Sequence, residues 1–258
     1  MRRLLVLAVV ILATSARAED WSKRFPVSGK PELHVEANDA AVIVRAGAGD
    51  AIQALVTTRG WRIGADGVRV TERQTGNRVE IAVREPDGGW DSGRRSVRIE
   101  LTVPPELKLE IRTGDGHVSA RGLKGDLRIV TGDGGIEAEA LDGSLEAHTG
   151  DGSVNVRGRF DALDLRTDDG SVTASVERGS KMAGPWRVRT GDGSVTLRLP
   201  EGFAADIDAH TGDGSISVSL PVTTSGFKSS KGLRGKLNGG GPTLHVETGD
   251  GTIHVERL

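Results

Sequence analysis

Seven carboxylates recur at one position of a repeated tetrapeptide: Asp115, Asp133, Asp151, Asp169, Asp192, Asp213 and Asp250. Stacked at the ~4.8 Å spacing of neighbouring strands, they would repel, and a hard cation such as Ca²⁺ would relieve that repulsion. Calcium-binding β-rolls set out their ligands through a G-G-x-G-x-D-x-apolar-x nonapeptide. Here the unit is longer and carries one Asp between two Gly. The ladder therefore offers too few oxygens per turn, unless loops such as Leu141-Asp142-Gly143 contribute. An Asp that accepts N–H groups of its own turn accounts for the column better. No metal site is assigned.

Other reactive residue types give less. Ser153, Ser171, Ser194 and Ser215 form a second column just after the Gly, but no His recurs beside them to act as a base. Of the six His (His34, His117, His148, His210, His245 and His254), only His148 and His210 share the position before the Thr. Arg166 and Arg189 fall between them, which argues against a metal pair. Acidic residues line the outward positions, and enzymes on β-helices do cleave polysaccharides with paired carboxylates. Any charged ladder would show the same. Only eight aromatics occur (Trp21, Trp61, Trp90, Trp186, Phe25, Phe160, Phe203 and Phe227) and Tyr is absent, so platforms for sugar stacking are few. The sequence assigns no catalytic residue and no cofactor, and the chain is read as a nonenzymatic protein.

The elements that place these residues are clearer. Thr-Gly-Asp-Gly begins at Thr113, Thr131, Thr149, Thr190, Thr211 and Thr248, and Thr167 heads a copy with Asp168 in place of the first Gly. The spacings are 18, 18, 18, 23, 21 and 37 residues. Five residues after each Thr stand Val118, Ile136, Val154, Val172, Val195, Ile216 and Ile253, all β-branched. Four before it stand Leu109, Leu127, Leu145, Leu163, Trp186, Ile207 and Leu244. Positions two before and seven after are apolar as well, and those between are mostly polar. Each repeat thus reads as two short strands with period-two alternation. The turn glycines (Gly114, Gly116, Gly132, Gly134, Gly150, Gly152, Gly191, Gly193, Gly212, Gly214, Gly249 and Gly251) are expected to supply the positive φ that a tight reversal needs.

A flat meander would leave one apolar face wet, whereas coiling buries it and stacks like residues in ladders. The outward column three before each Thr (Glu110, Arg128, Glu146, Asp164, Arg187, Asp208, His245) alternates in sign at most steps. The expected fold is an all-β, single-chain β-solenoid, a β-helix-like stack of short strands with coils of about 18–23 residues; an antiparallel β-meander is the alternative. The regular solenoid covers 106–258, with an irregular β section over 19–105 continuous with it. His34-Val35-Glu36-Ala37-Asn38-Asp39 echoes His245 to Asp250, so repeat-like structure is expected from near Leu33. Two segments read as loops: Glu85 to Arg95, with an exposed Trp90, and the basic, Gly-rich Lys228 to Gly241.

Arg2 and Arg3, the apolar run Leu4–Leu12 and Ala16-Arg17-Ala18 have the form of a cleaved signal peptide over 1–18. The run is short of the ~20 residues of a membrane span. Cleavage leaves 31 of the 34 Lys and Arg against 36 acids, a net charge of −5. That charge argues against nucleic acid as a partner. Without any Cys, disulfides are excluded, and so is lipidation at a mature N-terminal Cys. The expected location is the periplasm, the cell surface or the medium, with no stable membrane span after cleavage.

The repeated Gly-Asp-Gly-Ser-Val turns, Pro200-Glu201-Gly202-Phe203-Ala204-Ala205-Asp206-Ile207, and Gly239-Gly240-Gly241-Pro242 before a last repeat resemble the bacterial putative adhesin family, built on a domain of unknown function. The resemblance is strongest over Glu106–Leu258. It implies an exported β-solenoid on the envelope side and brings no catalytic residues. The leading expectation is an adhesin-like binding or scaffold solenoid whose partner is an unnamed envelope or surface component. A polysaccharide-active β-helix and a divalent-cation-dependent surface protein are the alternatives.

Overall fold

In the computed structural model, residues 18–86 and 95–258 are described. Nearly all of the signal peptide and Trp90 with most of its loop lie outside them. The chain is a two-sided β-solenoid, all-β as the alternation requires. In the regular part each coil runs along a long side, turns at Thr-Gly-Asp-Gly and continues on a shorter side. The long-side strands are β8 (Glu106–Thr113), β10 (Lys124–Thr131), the second half of β11 (Ile136–Thr149), the second half of β12 (Val154–Asp169) and β14 (Trp186–Asp192). The short side holds β9 (Val118–Arg121), the first halves of β11 and β12, β13 (Val172–Val176) and β15 (Val195–Leu199). Neighbours pair in parallel with like repeat positions opposite, for example Leu127 against Leu109 and Leu145.

Chain order and stacking order part company at both ends. The repeat formed by β20 (Thr243–Asp250) and β21 (Ile253–Arg257) does not follow the one formed by β16 (Ala205–Asp213) and β17 (Ile216–Val218). It lies between that repeat and β14–β15, in register with both: Leu244 faces Trp186 and Ile207, and Thr248 faces Thr190 and Thr211. On the short side β21 pairs with β15 and β17. Near the start, β2 (Glu32–Ala37) and β3 (Ala41–Ala46) are likewise wedged. They sit between β8–β9 and a pair made of β6 (Arg78–Arg84) and β7 (Ser96–Val103). A ladder stacked in simple chain order, as the charge column implied, is therefore corrected.

Antiparallel strands close the stack. β1 (Ala18–Pro26) pairs with β4 (Ala51–Arg59), which pairs with β7. β5 (Arg69–Thr75) pairs with β6. At the other end β19 (Gly232–Leu237) lies antiparallel on β16, and β18 (Val222–Lys228) on β19. Lys228–Gly241 is thus not a solvated loop: it supplies β19, whose Leu233 and Leu237 are buried. Lys23, Arg24 and Pro26 on the outermost strand β1 discourage edge-to-edge pairing.

The core is the stacked inward columns, fully buried at Leu33, Leu109, Ile129, Val154, Val172, Trp186 and Ile253. Phe160 and Trp186 meet edge to face with centroids 6.4 Å apart, and Phe203 lies 5.4 Å from Trp186. Opposite Gly143 and Ser144, β12 carries one extra residue, Asp161. This bulge accompanies the burial of Phe160, and the Asp161 carbonyl accepts the Trp186 Nε1–H at 3.3 Å.

Candidate functional site

The turn corner is where sequence chemistry converged, and the structure gives its work to Thr. All seven repeat threonines are buried. Each hydroxyl donates to carbonyls of the neighbouring turn in the stack, which belong to glycines for all but Thr113: Thr131 Oγ1 to Gly114 O at 2.8 Å, Thr149 Oγ1 to Gly134 O at 2.8 Å, Thr167 Oγ1 to Gly152 O at 2.8 Å, and Thr113 Oγ1 to Asn38 O at 3.2 Å. Thr211 reaches Gly251 O at 2.9 Å and Thr248 reaches Gly193 O at 2.8 Å, following spatial rather than chain order. A hydroxyl that satisfies a buried carbonyl at every step is a polar stitch inside the core wall.

The glycines answer to the same closeness. A Cβ on Gly249 would lie 2.7 Å from Gly191 O, and one on Gly134 would run into Gly116 O. Of the twelve turn glycines only Gly193, Gly214 and Gly251 are at positive φ, so the expected conformational reason is corrected for Gly114, Gly116, Gly132, Gly134, Gly150, Gly152, Gly191, Gly212 and Gly249: there the turns stack too tightly for a side chain. The aspartates point out. Asp115, Asp133, Asp151, Asp169, Asp192, Asp250 and Asp213 are all exposed, and Lys231 Nζ reaches Asp213 Oδ1 at 3.2 Å. The column continues through Asp39, whose Oδ1 accepts the Asp115 N–H at 3.3 Å, to Glu85. Glu85 is half-buried, and burial first, with Asp39 second, raises its pKa above the ordinary 4.5. Among the described residues no group of three or more His, Asp or Glu is placed to hold a metal ion. Ser153, Ser171 and Ser215 are exposed beside this column.

The long side carries the more extensive arrangement. The position three before each Thr forms one lateral row, in spatial order Arg73, Glu80, His34, Glu110, Arg128, Glu146, Asp164, Arg187, His245, Asp208 and Arg234. Three of these eleven (Arg73, Glu80 and Arg234) lie outside the recognisable repeats, and His34 lies in the echo of the last repeat near Leu33. Arg128 meets Glu146 at 2.5 Å, Arg187 reaches Asp164 at 3.9 Å, and Arg234 reaches Asp208 at 3.1 Å. His34 sits with Nε2 3.2 Å from Glu36 Oε1, and its Nδ1 is 3.3 Å from Glu110 Oε2 but badly aligned for a hydrogen bond. Glu110 lies below its ordinary pKa chiefly through the hydrogen bond from Arg112, and Glu36 through that from His34; desolvation opposes both.

Beside the middle of the row the outward residues shrink to Ser144, Ala162 and Pro185. They floor a shallow depression of about 370 Å³ flanked by Arg128, Glu146, Asp164 and Arg187. The charge order along it is plus, minus, minus, plus, with each carboxylate engaged by its outer Arg. The remaining His residues are scattered: His117, His210 and His254 are exposed, and His148 stands between Val130 and Arg166. Two features escaped sequence reasoning: the Thr hydroxyls, recurrent but read as part of a turn label, and the extension of the row into the capping strands.

Residues 157–256 match the family model described as Toastrack DUF4097. No curated protein matches the chain. Among solved structures it is similar to a putative adhesin from Bacteroides fragilis, at 15% identity over 93% of this chain and 97% of that one, with a TM-score of 0.49. It is similar also to a putative cell adhesion protein from Clostridium sporogenes, at 12% identity over 94% and 100%, with a TM-score of 0.43. A putative lipid binding protein from Parabacteroides distasonis matches at 14% identity over 93% and 98%, with a TM-score of 0.44. Among the described residues no helix is long and apolar enough to cross a membrane.

Proposed function

We propose that this chain, whose residues 157–256 carry a Toastrack DUF4097 domain, is a nonenzymatic exported protein that binds an envelope or surface component across the long side of its solenoid. One observation supports the reading above others: the unbroken lateral row of charged and imidazole side chains from Arg73 to Arg234, held at fixed spacing by paired strands. Ordered strand backbones present such groups with little entropy left to lose on binding. Charge arranged in a fixed sequence selects a complementary partner more than it adds raw affinity. The signal-peptide pattern of residues 1–18 supports export.

The test is recovery of a partner from the native envelope with the wild-type chain, an Arg128→Glu/Arg187→Glu variant, and an Arg157→Glu control on the short side. All three positions are exposed; because the long-side reversals set Glu beside Glu110, Glu146 and Asp164, capture is compared only for variants whose circular dichroism and melting match the wild type. The same component should be captured by wild type and control and lost with the long-side variant. Equal capture by all three, or no capture by the wild type, refutes the reading.

A further inference from the structure

The wedged position of β20–β21 makes a slot, walled by β14–β15 on one side and β16–β17 on the other, into which a complete coil fits. We propose that this slot is a coil-binding site that accepts β20–β21 from a second copy of this chain, giving a reciprocally exchanged dimer. The coil is bonded on both edges in both sheets, with Asp250 opposite Asp192 and Asp213, and Val255 opposite Leu197 and Val218. Its inward side chains Leu244, Val246, Ile253 and Val255 are at most 1% exposed. An empty slot would wet all four positions and both walls, so it must be filled. A coil donated by another copy makes the same contacts as the chain's own, which leaves the hinge and the chain concentration to decide between them.

Two features of the structure favour donation over simple restacking. First, β19 occupies the outer edge of β16, so the coil cannot move to the end of the stack. Second, the hinge is free to open: Asn238, Gly239 and Gly240 turn at positive φ, at 47°, 91° and 88°, and the two glycines adopt extended backbone as readily. Pro242 then biases Gly241 towards an extended backbone. The closed hinge is pinned by Gly241 N–H to Asp206 Oδ1 at 3.2 Å and Asp206 N–H to Pro242 O at 3.1 Å. Opened, the five residues from 238 to 242 reach about 17 Å, more than three strand spacings.

The absence of native Cys permits a direct test with full-length chains. Arg189 and Glu247 are opposite each other across β14 and β20, and both are exposed. One chain carries Arg189→Cys and the other Glu247→Cys. They are unfolded together, refolded over a range of concentrations, oxidised, and mapped by mass spectrometry. Exchange yields a 189–247 link between chains, absent when the two are mixed already folded, and the dimer-to-monomer ratio rises about tenfold for each tenfold rise in free monomer. Gly240→Ala, whose Cβ would meet Asp206 Oδ1 at a positive φ that alanine disfavours, should raise the dimer share by straining the closed hinge. Only 189–189 and 247–247 links, or monomer at every concentration, would overturn the proposal. An Arg189→Cys/His210→Cys chain tests collapse: a link within it would show β16 closing on β14, which also overturns the slot as a receiving site.

Discussion

Replacing Thr149 with Val isolates the hydroxyl stitch from everything else in the turn. Thr149 is 0% exposed. Its Oγ1 donates to Gly134 O at 2.8 Å and Gly132 O at 3.2 Å, and accepts the Gly152 N–H at 3.3 Å. Valine keeps the shape and leaves those buried groups without the hydroxyl, a loss of about 1–3 kcal/mol. Thr149→Ser keeps the hydroxyl and loses one methyl, about 0.8 kcal/mol plus a small void. The expected order of stability is therefore wild type, then Ser, then Val. Asp151→Asn on the exposed side of the same turn should stay within about 0.5 kcal/mol of wild type. Urea unfolding followed by circular dichroism reads the order directly. Comparison rests on midpoints at matched slope, because repeat stacks can lose two-state behaviour. Thr149→Val as stable as wild type, or more stable than Thr149→Ser, would refute the assignment of the column's role to the hydroxyl.

Gly134→Ala should cost about 1–3 kcal/mol, since its Cβ enters the Gly116 carbonyl, seen as a lowered urea midpoint. Trp186→Ala should cost about 3–5 kcal/mol, because it empties the space between Phe160 and Phe203. Glu85 has a raised folded pKa, so its contribution is most favourable below 4.5 and declines as pH rises through the folded value. Glu85→Gln should accordingly melt higher than wild type at pH 7 and lose that advantage below pH 4.5 in thermal scans. Glu110 has a lowered pKa, so what it contributes is present above 4.5 and lost as pH falls through its folded value. Glu110→Gln should therefore soften acid unfolding, an effect that weakens with added salt because the group is partly exposed.

Much of this architecture is legible in the pattern of residues. Val118, Ile136, Val154 and Val172 fix one inward column, Leu109, Leu127, Leu145 and Leu163 its opposite, and in-register stacking follows because any slip would turn the core outward. Stacking order is not legible, for a physical reason. Every coil offers the same register, so Thr248 fits beside Thr211 or beside Thr190 equally well on pattern alone. The choice falls to β19, which takes the outer edge of β16. That strand was itself obscured, because Leu233-Arg234-Gly235-Lys236-Leu237 alternates through a glycine that leaves no apolar mark. Glu85 joins the acidic corner only through pairing of β6 with β2, and nothing in its own neighbourhood resembles the tetrapeptide. The long-side row shows the same limit: seven members follow from the repeat, while Arg73 and Arg234 enter from antiparallel strands no repeat predicts.

The wedged coils also decide how the molecule would bear tension. A strand at the end of a stack peels away one hydrogen bond at a time when it is tugged sideways. β21 is flanked by β15 and β17, and a pull along its axis must slide it against two parallel ladders at once, so that many bonds share the load before any breaks. β2–β3 is gripped in the same manner near the other end. A protein fastened through such coils behaves as a rod clamped inside its shaft rather than glued at its tip, the arrangement suited to a part that must hold on while its surroundings move.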